Sequence, residues 1–328
     1  MIITKTPLRM SFAGGGSDLA EYYKVRPGMV VSTAIDKYIY LTVNPRFDGI
    51  IRVSYSRTEL VDRIDAIKHN IIREALRFLD IKVNGGIDIV YMSDLPPASV
   101  GTGLGASSAI AVGILQALHA YRGEHISPER LAQEACRLEI GVLKCPIGKQ
   151  DQYAVSHGGF NRILFHQDDS VRIDPLVLTQ EKLNEFCGKL LLFYTGLPSR
   201  SEMVLKEQKK KTKANMAVLD KMVALAQELE SALHEGRIGR VGEILHENWV
   251  YKKQLSSGVS NDFIDSYYEK GIRAGATGGK ILGSGGGGFL LFYCEENKQQ
   301  KLRRAIRDLR EMKFDFEPNG SRILYFSH

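Results

Sequence analysis

The chain has 328 residues, 44% hydrophobic and 25% charged, with a formal net charge of +6. At roughly 100–200 residues per domain that length suits about two domains, and the composition excludes disordered and fibrous classes. No apolar run approaches the ~18–20 residues of a membrane span, and residues 1–7 lack a signal peptide's apolar stretch, so a cytoplasmic protein with no membrane partner is expected. The positive charge suits an anionic small molecule. The densest basic run, residues 206–213, is broken by Glu207, Gln208 and Thr212. It reads as a solvated helix face, and without aromatic interleaving it gives no sign of a nucleic-acid partner. Cys136, Cys145, Cys187 and Cys294 form neither a C-x-x-C pair nor a zinc spacing, so all four are expected to be reduced thiols.

In chain order, β-branched and aromatic runs predict strands at 2–6, 29–34, 38–43, 50–55 and 87–91. Residues 57–79 carry Ile64, Ile67, Ile71, Ala75 and Phe78 at three- and four-residue steps, which predicts a helix. An apolar helix follows at 107–120. Ser127, Pro128 and Glu129 open another, with serine as cap and proline in the first turn. Leu131, Ala135, Leu138 and Val142 form its buried stripe, and Pro146 and Gly148 end it. Strands are expected at 160–165 and 190–194, then long helices at 199–235 and 238–254. A strand at 289–294, a helix at 297–312 and a strand at 321–326 complete the pattern. The polar stretch 167–170 divides an N-terminal domain, 1–170, from a C-terminal one, 171–328. Strands and helices mix without strict alternation, which favours an α+β architecture over a doubly wound sheet.

Four clusters carry chemistry. The first is a strand, loop and helix at 87–120. Gly101, Gly103 and Gly105 let backbone approach a phosphate, and the helix beginning near Ser107 aims its free N–H groups and dipole at the anion. Ser107 and Ser108 add hydroxyls for phosphate or a metal ion. The pattern G-x-x-x-x-G-K-[ST] is absent. Gly101, Gly103 and Ala106 fit the looser dinucleotide pattern, but far from a first β-α-β unit and after Pro96 and Pro97, which are awkward before a parallel-strand turn. The second cluster, 280–289, holds Gly283 and Gly285 to Gly288 against an apolar strand, so its backbone can face a ligand. The third joins Arg9 to the turn Gly14, Gly15, Gly16, Ser17 and Asp18, residue types suited to an anion and to sugar hydroxyls. The fourth places Asp151 just after a helix break. A carboxylate there can orient a hydroxyl during phosphoryl transfer; alone it serves equally as a helix cap.

Together and in this order, the clusters resemble the GHMP kinases (galacto-, homoserine, mevalonate and phosphomevalonate kinases) over residues 7–292. Within that family, 7–19, 148–153, Gly158 to Asn161, and the stretch from Trp249 through Gly275 and Ala276 to 280–289 resemble the bacterial D-glycero-D-manno-heptose 7-phosphate kinases. The resemblance implies a two-domain α+β fold, with an N-terminal domain like ribosomal protein S5 domain 2 and a ferredoxin-like C-terminal domain. It implies ATP and Mg²⁺, and phosphate transfer to the anomeric O1 of the heptose 7-phosphate. Fucose, galactose or a free heptose are alternative acceptors, and a non-catalytic sugar and ATP sensor is a further reading. Asp151 would be the catalytic base or orienter, and Arg9 the basic residue that lowers the acceptor's pKa or steadies transferred charge. Pro97, Gly101, Gly103, Leu104, Gly105, Ala106, Ser107 and Ser108 would hold the nucleotide. Gly16, Ser17, Asp18, Lys149, Gly285 and Gly286 would meet the sugar. Glu139 and Ser107 would hold Mg²⁺; aligning on Ser-Ser-Ala gives Ser108 instead. Ala106 stands where the family pattern has serine, and residues 98–100 extend the loop. A distal phosphate needs a cationic pocket, for which Lys149, Arg26, Arg200 and Lys280 are candidates. A homodimer is a family-level expectation.

Overall fold

Two long strands organise the chain. β1 (Ile2–Ala13) alternates buried and half-buried residues at its start and is covered on both faces from Thr6 onward. β2 (Gly28–Pro45) pairs antiparallel with β1 from Val43 opposite Ile2 to Val31 opposite Ala13. Between the pairs Pro7–Tyr38 and Leu8–Ile35 the register skips Asp36 and Lys37. The two strands expected at 29–34 and 38–43 are therefore one strand interrupted by a bulge, which lets two charged residues leave the ladder without ending it. The computed structural model described here covers residues 1–95, 102–199 and 201–327.

After the short helix α1 (Ala20–Tyr23) and β2 come β3 (Ile51–Ser54) and β4 (Thr58–Val61), a hairpin. The helix expected over 57–79 survives only as a 3₁₀ turn, Ile64–Ala66, and α2 (Asn70–Phe78). Glu59 causes the break: its carboxylate accepts the N–H groups of Lys68 and His69 at 2.5 and 3.1 Å, folding the chain back. β5 (Ile87–Ser93) runs parallel to β3 and antiparallel to β2. α3 (Ala106–Tyr121) is apolar on nearly every side and buried accordingly. α4 (Pro128–Cys136) is capped by Ser127 and runs into a π-helical turn, Arg137–Val142. That wide turn rotates the expected stripe: Leu131, Ala135 and Leu138 stay buried, Val142 comes out to 45% exposure, and Glu139 goes in.

α5 (Gln150–His157) precedes the hairpin β6 (Phe160–Phe165) and β7 (Val171–Pro175). β6 pairs with the first half of β2. The expected boundary at 170 falls in this hairpin's turn, so the first sheet runs on to Pro175. α6 (Gln180–Gly188) leads to β8 (Leu190–Tyr194). The long helix expected at 199–235 is two, α7 (Ser201–Lys211) and α8 (Met216–His234), parted where the Asn215 amide bonds the Leu255 carbonyl at 3.1 Å. α9 (Arg240–Gln254), α10 (Asp262–Ala274), β9 (Gly278–Ile281), β10 (Phe289–Tyr293) and α11 (Glu296–Ala305) follow. Residues 310–312, expected to end a helix, form β11 (Arg310–Met312) beside β8.

The second sheet has the order β11-β8-β10-β9, all antiparallel. The first has the order β12-β1-β2-β5-β3-β4, where β12 (Arg322–Phe326) returns from the end of the chain to pair with β1. Mixed pairing and two separate sheets agree with the α+β expectation. α8 and α9 contribute to the main core alongside β1 and α3, so the two halves share one apolar interior. The four cysteines are free thiols, and among the described residues no helix is long and apolar enough to cross a membrane.

Because Ser321 bonds Thr6 and Gln116 at 2.7 and 2.5 Å and introduces β12, a chain ended at Gly320 should lose roughly 1–3 kcal/mol in urea unfolding. An unchanged midpoint would show that the last strand adds nothing to the first sheet.

Candidate active site

The glycines of the phosphate loop are required by their surroundings. Gly103 (φ +83°) and Gly105 (φ +76°) occupy left-handed backbone, and a Cβ on Gly103 would sit 2.2 Å from the Leu282 carbonyl oxygen. A Cβ on Gly283 would in turn meet Gly103 Cα at 2.2 Å. The two glycine clusters are thus packed backbone to backbone. Gly105 is the cap residue of α3 and has no side chain to cap it, and the first bond within the helix runs from Ala109 N to Gly105 O at 2.9 Å. The N–H groups of the first turn, Ala106 to Ser108, are left to serve an anion. Leu104 is buried and its carbonyl accepts the Arg9 N–H at 3.0 Å. Pro97, Gly101 and residues 98–100 lie outside the described residues.

Arg9, on β1, is buried and meets Asp151 in the first turn of α5. Its Nε and Nη2 donate to the two carboxylate oxygens at 2.7 and 2.6 Å, while Nη1 donates to the Gly103 carbonyl at 2.6 Å. A planar guanidinium fits such a bidentate partner and a third acceptor at fixed angles. Asp18 lies across the same cleft. Its Oδ1 accepts from Gly16 N at 2.9 Å and its Oδ2 from Gln150 N at 3.3 Å. Gly148 makes room for it, since a Cβ there would fall 2.0 Å from Asp18 Oδ2. Burial, and then the charge of Asp151, push the Asp18 carboxyl above its ordinary pKa. Ser17 turns away from the cleft: its hydroxyl donates to the Gly14 carbonyl at 2.7 Å, accepts the Met29 N–H at 3.1 Å and locks the turn.

Glu139, carried inward by the π-helical turn, is fully buried. Ser107 Oγ donates to its Oε1 at 2.8 Å, Ser108 Oγ to Oε2 at 2.7 Å, and Gln152 Nε2 to Oε2 at 2.6 Å. Burial raises its pKa, opposed by those three bonds. A magnesium ion wants octahedral oxygen ligands at about 2.0–2.1 Å, which sets neighbouring ligands about 2.9 Å apart. Ser107 Oγ and Glu139 Oε1 have that separation and chemistry. Ser107 reaches solvent while Ser108 is buried, so an ion shared with a nucleotide fits at Ser107.

Arg9, Ser11, Gly16, Asp18, Gly148, Gln150 and Asp151 line one cleft, joined from the second half by Gln208, Lys252, Lys280, Gly283 and Ser284. Lys149 is not brought there. Its ammonium is held by Asp169 at 2.6 Å, 5.0 Å over the Tyr23 ring. Gly285 and Gly286 are also elsewhere: they pack on Val259, whose carbonyl accepts Gly286 N at 2.9 Å, while Gly283 and Ser284 face the cleft. Of the distal-phosphate candidates, Arg26 is ion-paired with Asp220, Arg200 lies outside the described residues, and Lys280 lies in the cleft. Lys252, Ser11 and Gln150 were not anticipated. Lys252 had a signal, because it falls on the buried face of α9 with Val241, Leu245, Asn248 and Trp249, where an apolar residue is the rule. Its Nζ donates to the carbonyls of Ile281, at 3.1 Å, and Gly283. Burial, and then Arg9, push its pKa down to about 7.

Known proteins bear on this geometry. The family described as GHMP kinases N terminal domain matches residues 70–159, and GHMP kinases C terminal matches 229–310. The chain is 30% identical over 321 residues to a D-glycero-alpha-D-manno-heptose 7-phosphate kinase of Campylobacter jejuni, covering 93% of each. It is 24% identical over 348 residues to a galactokinase of Pyrococcus furiosus, covering 93% of this chain and 92% of that one. A solved D-glycero-D-manno-heptose 1-phosphate kinase from Bacteroides thetaiotaomicron superposes with a TM-score of 0.82 at 25% identity, covering 100% of both chains.

The lysine shift has a consequence for stability. An unfolded lysine titrates near 10.4, so above about pH 7 the unfolded chain binds the extra proton and folding strengthens as pH rises. The urea midpoint should increase from about pH 7 to about 8.5, and Lys252→Met should flatten that slope. Equal slopes in both proteins would contradict the burial argument.

Proposed function

The chain belongs to the GHMP kinases, and from that premise we propose that it is an ATP-dependent kinase that phosphorylates the anomeric O1 of D-glycero-D-manno-heptose 7-phosphate, giving the 1,7-bisphosphate. We place the reaction in the cytoplasm, where ATP is available. The observation that carries the reading is the bidentate Arg9–Asp151 pair, tied by the same guanidinium to the Gly103 carbonyl of the phosphate loop.

In this reading the ATP phosphates lie against the first turn of α3. Magnesium, when bound at Ser107 and Glu139, would neutralise charge on the phosphate oxygens. Asp18 accepts hydrogen bonds from sugar hydroxyls. Asp151 orients the O1 hydroxyl and takes its proton as the O1–P bond forms and the bond from γ-phosphorus to the bridging oxygen breaks, releasing ADP. Arg9 acts mainly by position. Three of its N–H groups hold Asp151 and Gly103 O, which fixes the base relative to the phosphates. The two heptose kinases similar to this chain carry names that differ in the phosphate already on the substrate, 7 in one and 1 in the other.

Pure protein with Mg-ATP and a panel of heptose 7-phosphate, heptose 1-phosphate, free heptose, galactose and fucose should turn over heptose 7-phosphate fastest. Faster turnover on a free hexose, or on the 1-phosphate, would replace the acceptor. Asp151→Asn should lower kcat at least about 100-fold while leaving ATP affinity within about twofold. Unchanged turnover would remove Asp151 from the chemistry.

A further inference from the structure

Two lysines of the cleft have no part in the reaction as written. Lys252 and Lys280 are 7% and 2% exposed, yet both line the cleft. Neither has a carboxylate ion-pair partner among the described residues. Each ammonium instead donates to two backbone carbonyls, Lys252 to Ile281 and Gly283, Lys280 to Ser11 and Phe12 at 2.8 and 3.0 Å. Protonated, each carries three N–H bonds and so keeps one donor for an incoming anion. Beside them the Ser11 hydroxyl, in a residue 6% exposed, lines the same cleft and has no hydrogen-bond partner among the described residues.

The charges facing these groups are few. Arg9 and Asp151 engage each other, and Asp18 accepts from Gly16 and Gln150. Two buried lysines therefore share a water-poor floor with one carboxylate that pairs with neither. Unpaired charge kept from water is costly unless an ion of opposite sign completes it. Bracing the Gly283 loop and the end of β1 accounts for two donors on each lysine. It leaves unexplained a buried serine hydroxyl with nothing to bond.

We infer that Lys252, Lys280 and Ser11 form a phosphate-binding subsite on the floor of the cleft, assembled before the anion arrives. The inference rests on the cleft being that of a sugar kinase. A phosphate group offers several strong acceptor oxygens to donors converging from one side. Two phosphates fit: the phosphoryl group in transit, or the one the sugar already carries. Burial and nearby positive charge, Arg9 beside Lys252 and Lys252 with Arg9 beside Lys280, lower the lysines' affinity for protons in the empty site, so filling it with an anion draws protons in.

Calorimetric binding of heptose 7-phosphate and of free heptose, without ATP, separates the sources. If the sugar's own phosphate is the ligand, Ser11→Ala and Lys252→Met weaken heptose 7-phosphate by about tenfold or more and leave free heptose unchanged, and Lys252→Met reduces the proton uptake near pH 8. If the phosphoryl in transit is the ligand, both sugars bind as before and kcat falls about 100-fold or more on each. Ser11→Ala removes a hydroxyl with no partner, so its fold should hold where a lysine variant's does not. Equal losses for phosphorylated and free heptose, or no change beyond about twofold in either binding or kcat for a folded Ser11→Ala, overturn the subsite. Sugar-phosphate binding that depends on Ser11 in a protein without ATP-dependent turnover would retire the kinase reading alone and keep the subsite.

Discussion

One guanidinium holds the candidate site in register. Arg9 spans the first turn of α5, through both oxygens of Asp151, and the phosphate loop, through the Gly103 carbonyl. It comes from a strand covered on both faces, so it has little freedom to follow either partner. The fork geometry couples the two: the carboxylate cannot shift without straining the contact to the loop. Gly103 is itself fixed from behind, where Gly283 meets it backbone to backbone. The distance from carboxylate to phosphate loop is thus set by covalent geometry and close packing, which is what a positioned proton acceptor needs.

The rest of the cleft follows from charge kept away from water. Asp18 and Glu139 are carboxyl groups whose pKa burial raises, and Lys252 is an amine whose pKa burial lowers. Both changes disfavour charge in the empty site. Fixed dipoles and charges in such surroundings act more strongly on a substrate than they would in water. The architecture places them deliberately close: β1 supplies Arg9 and Ser11, the π-helical turn supplies Glu139, and α9 supplies Lys252 from the other half of the molecule.

Much of this was legible in the sequence because local chemistry decided it. β6 and β8 lie where their apolar runs begin and end. Arg9, Asp18 and Asp151 line one cleft, Asp18 beside a glycine turn and Asp151 at a helix start, both of which the sequence displays. What was not legible depended on neighbours distant in sequence. Glu59 reached forward to break a helix at Lys68. A π-helical turn exchanged Val142 for Glu139 on the buried side. Lys149 looked like a substrate contact, but Asp169 claimed it across a hairpin. Gly285 and Gly286 had the composition of a ligand loop, and the backbone of Val259 crowding Gly285 and the left-handed backbone of Gly286 explain their glycines instead. Lys252 was visible only as a misplaced cation on an apolar face, whose meaning waits on the carbonyls that receive it.

A crystal structure with a non-hydrolysable ATP analogue and heptose 7-phosphate tests the central claim most directly. The account predicts O1 within hydrogen-bond reach of Asp151, about 2.6–3.2 Å, with the γ-phosphate at the first turn of α3 and in line with it. A sugar whose reacting hydroxyl lies away from Asp151, or a nucleotide bound away from α3, would contradict it.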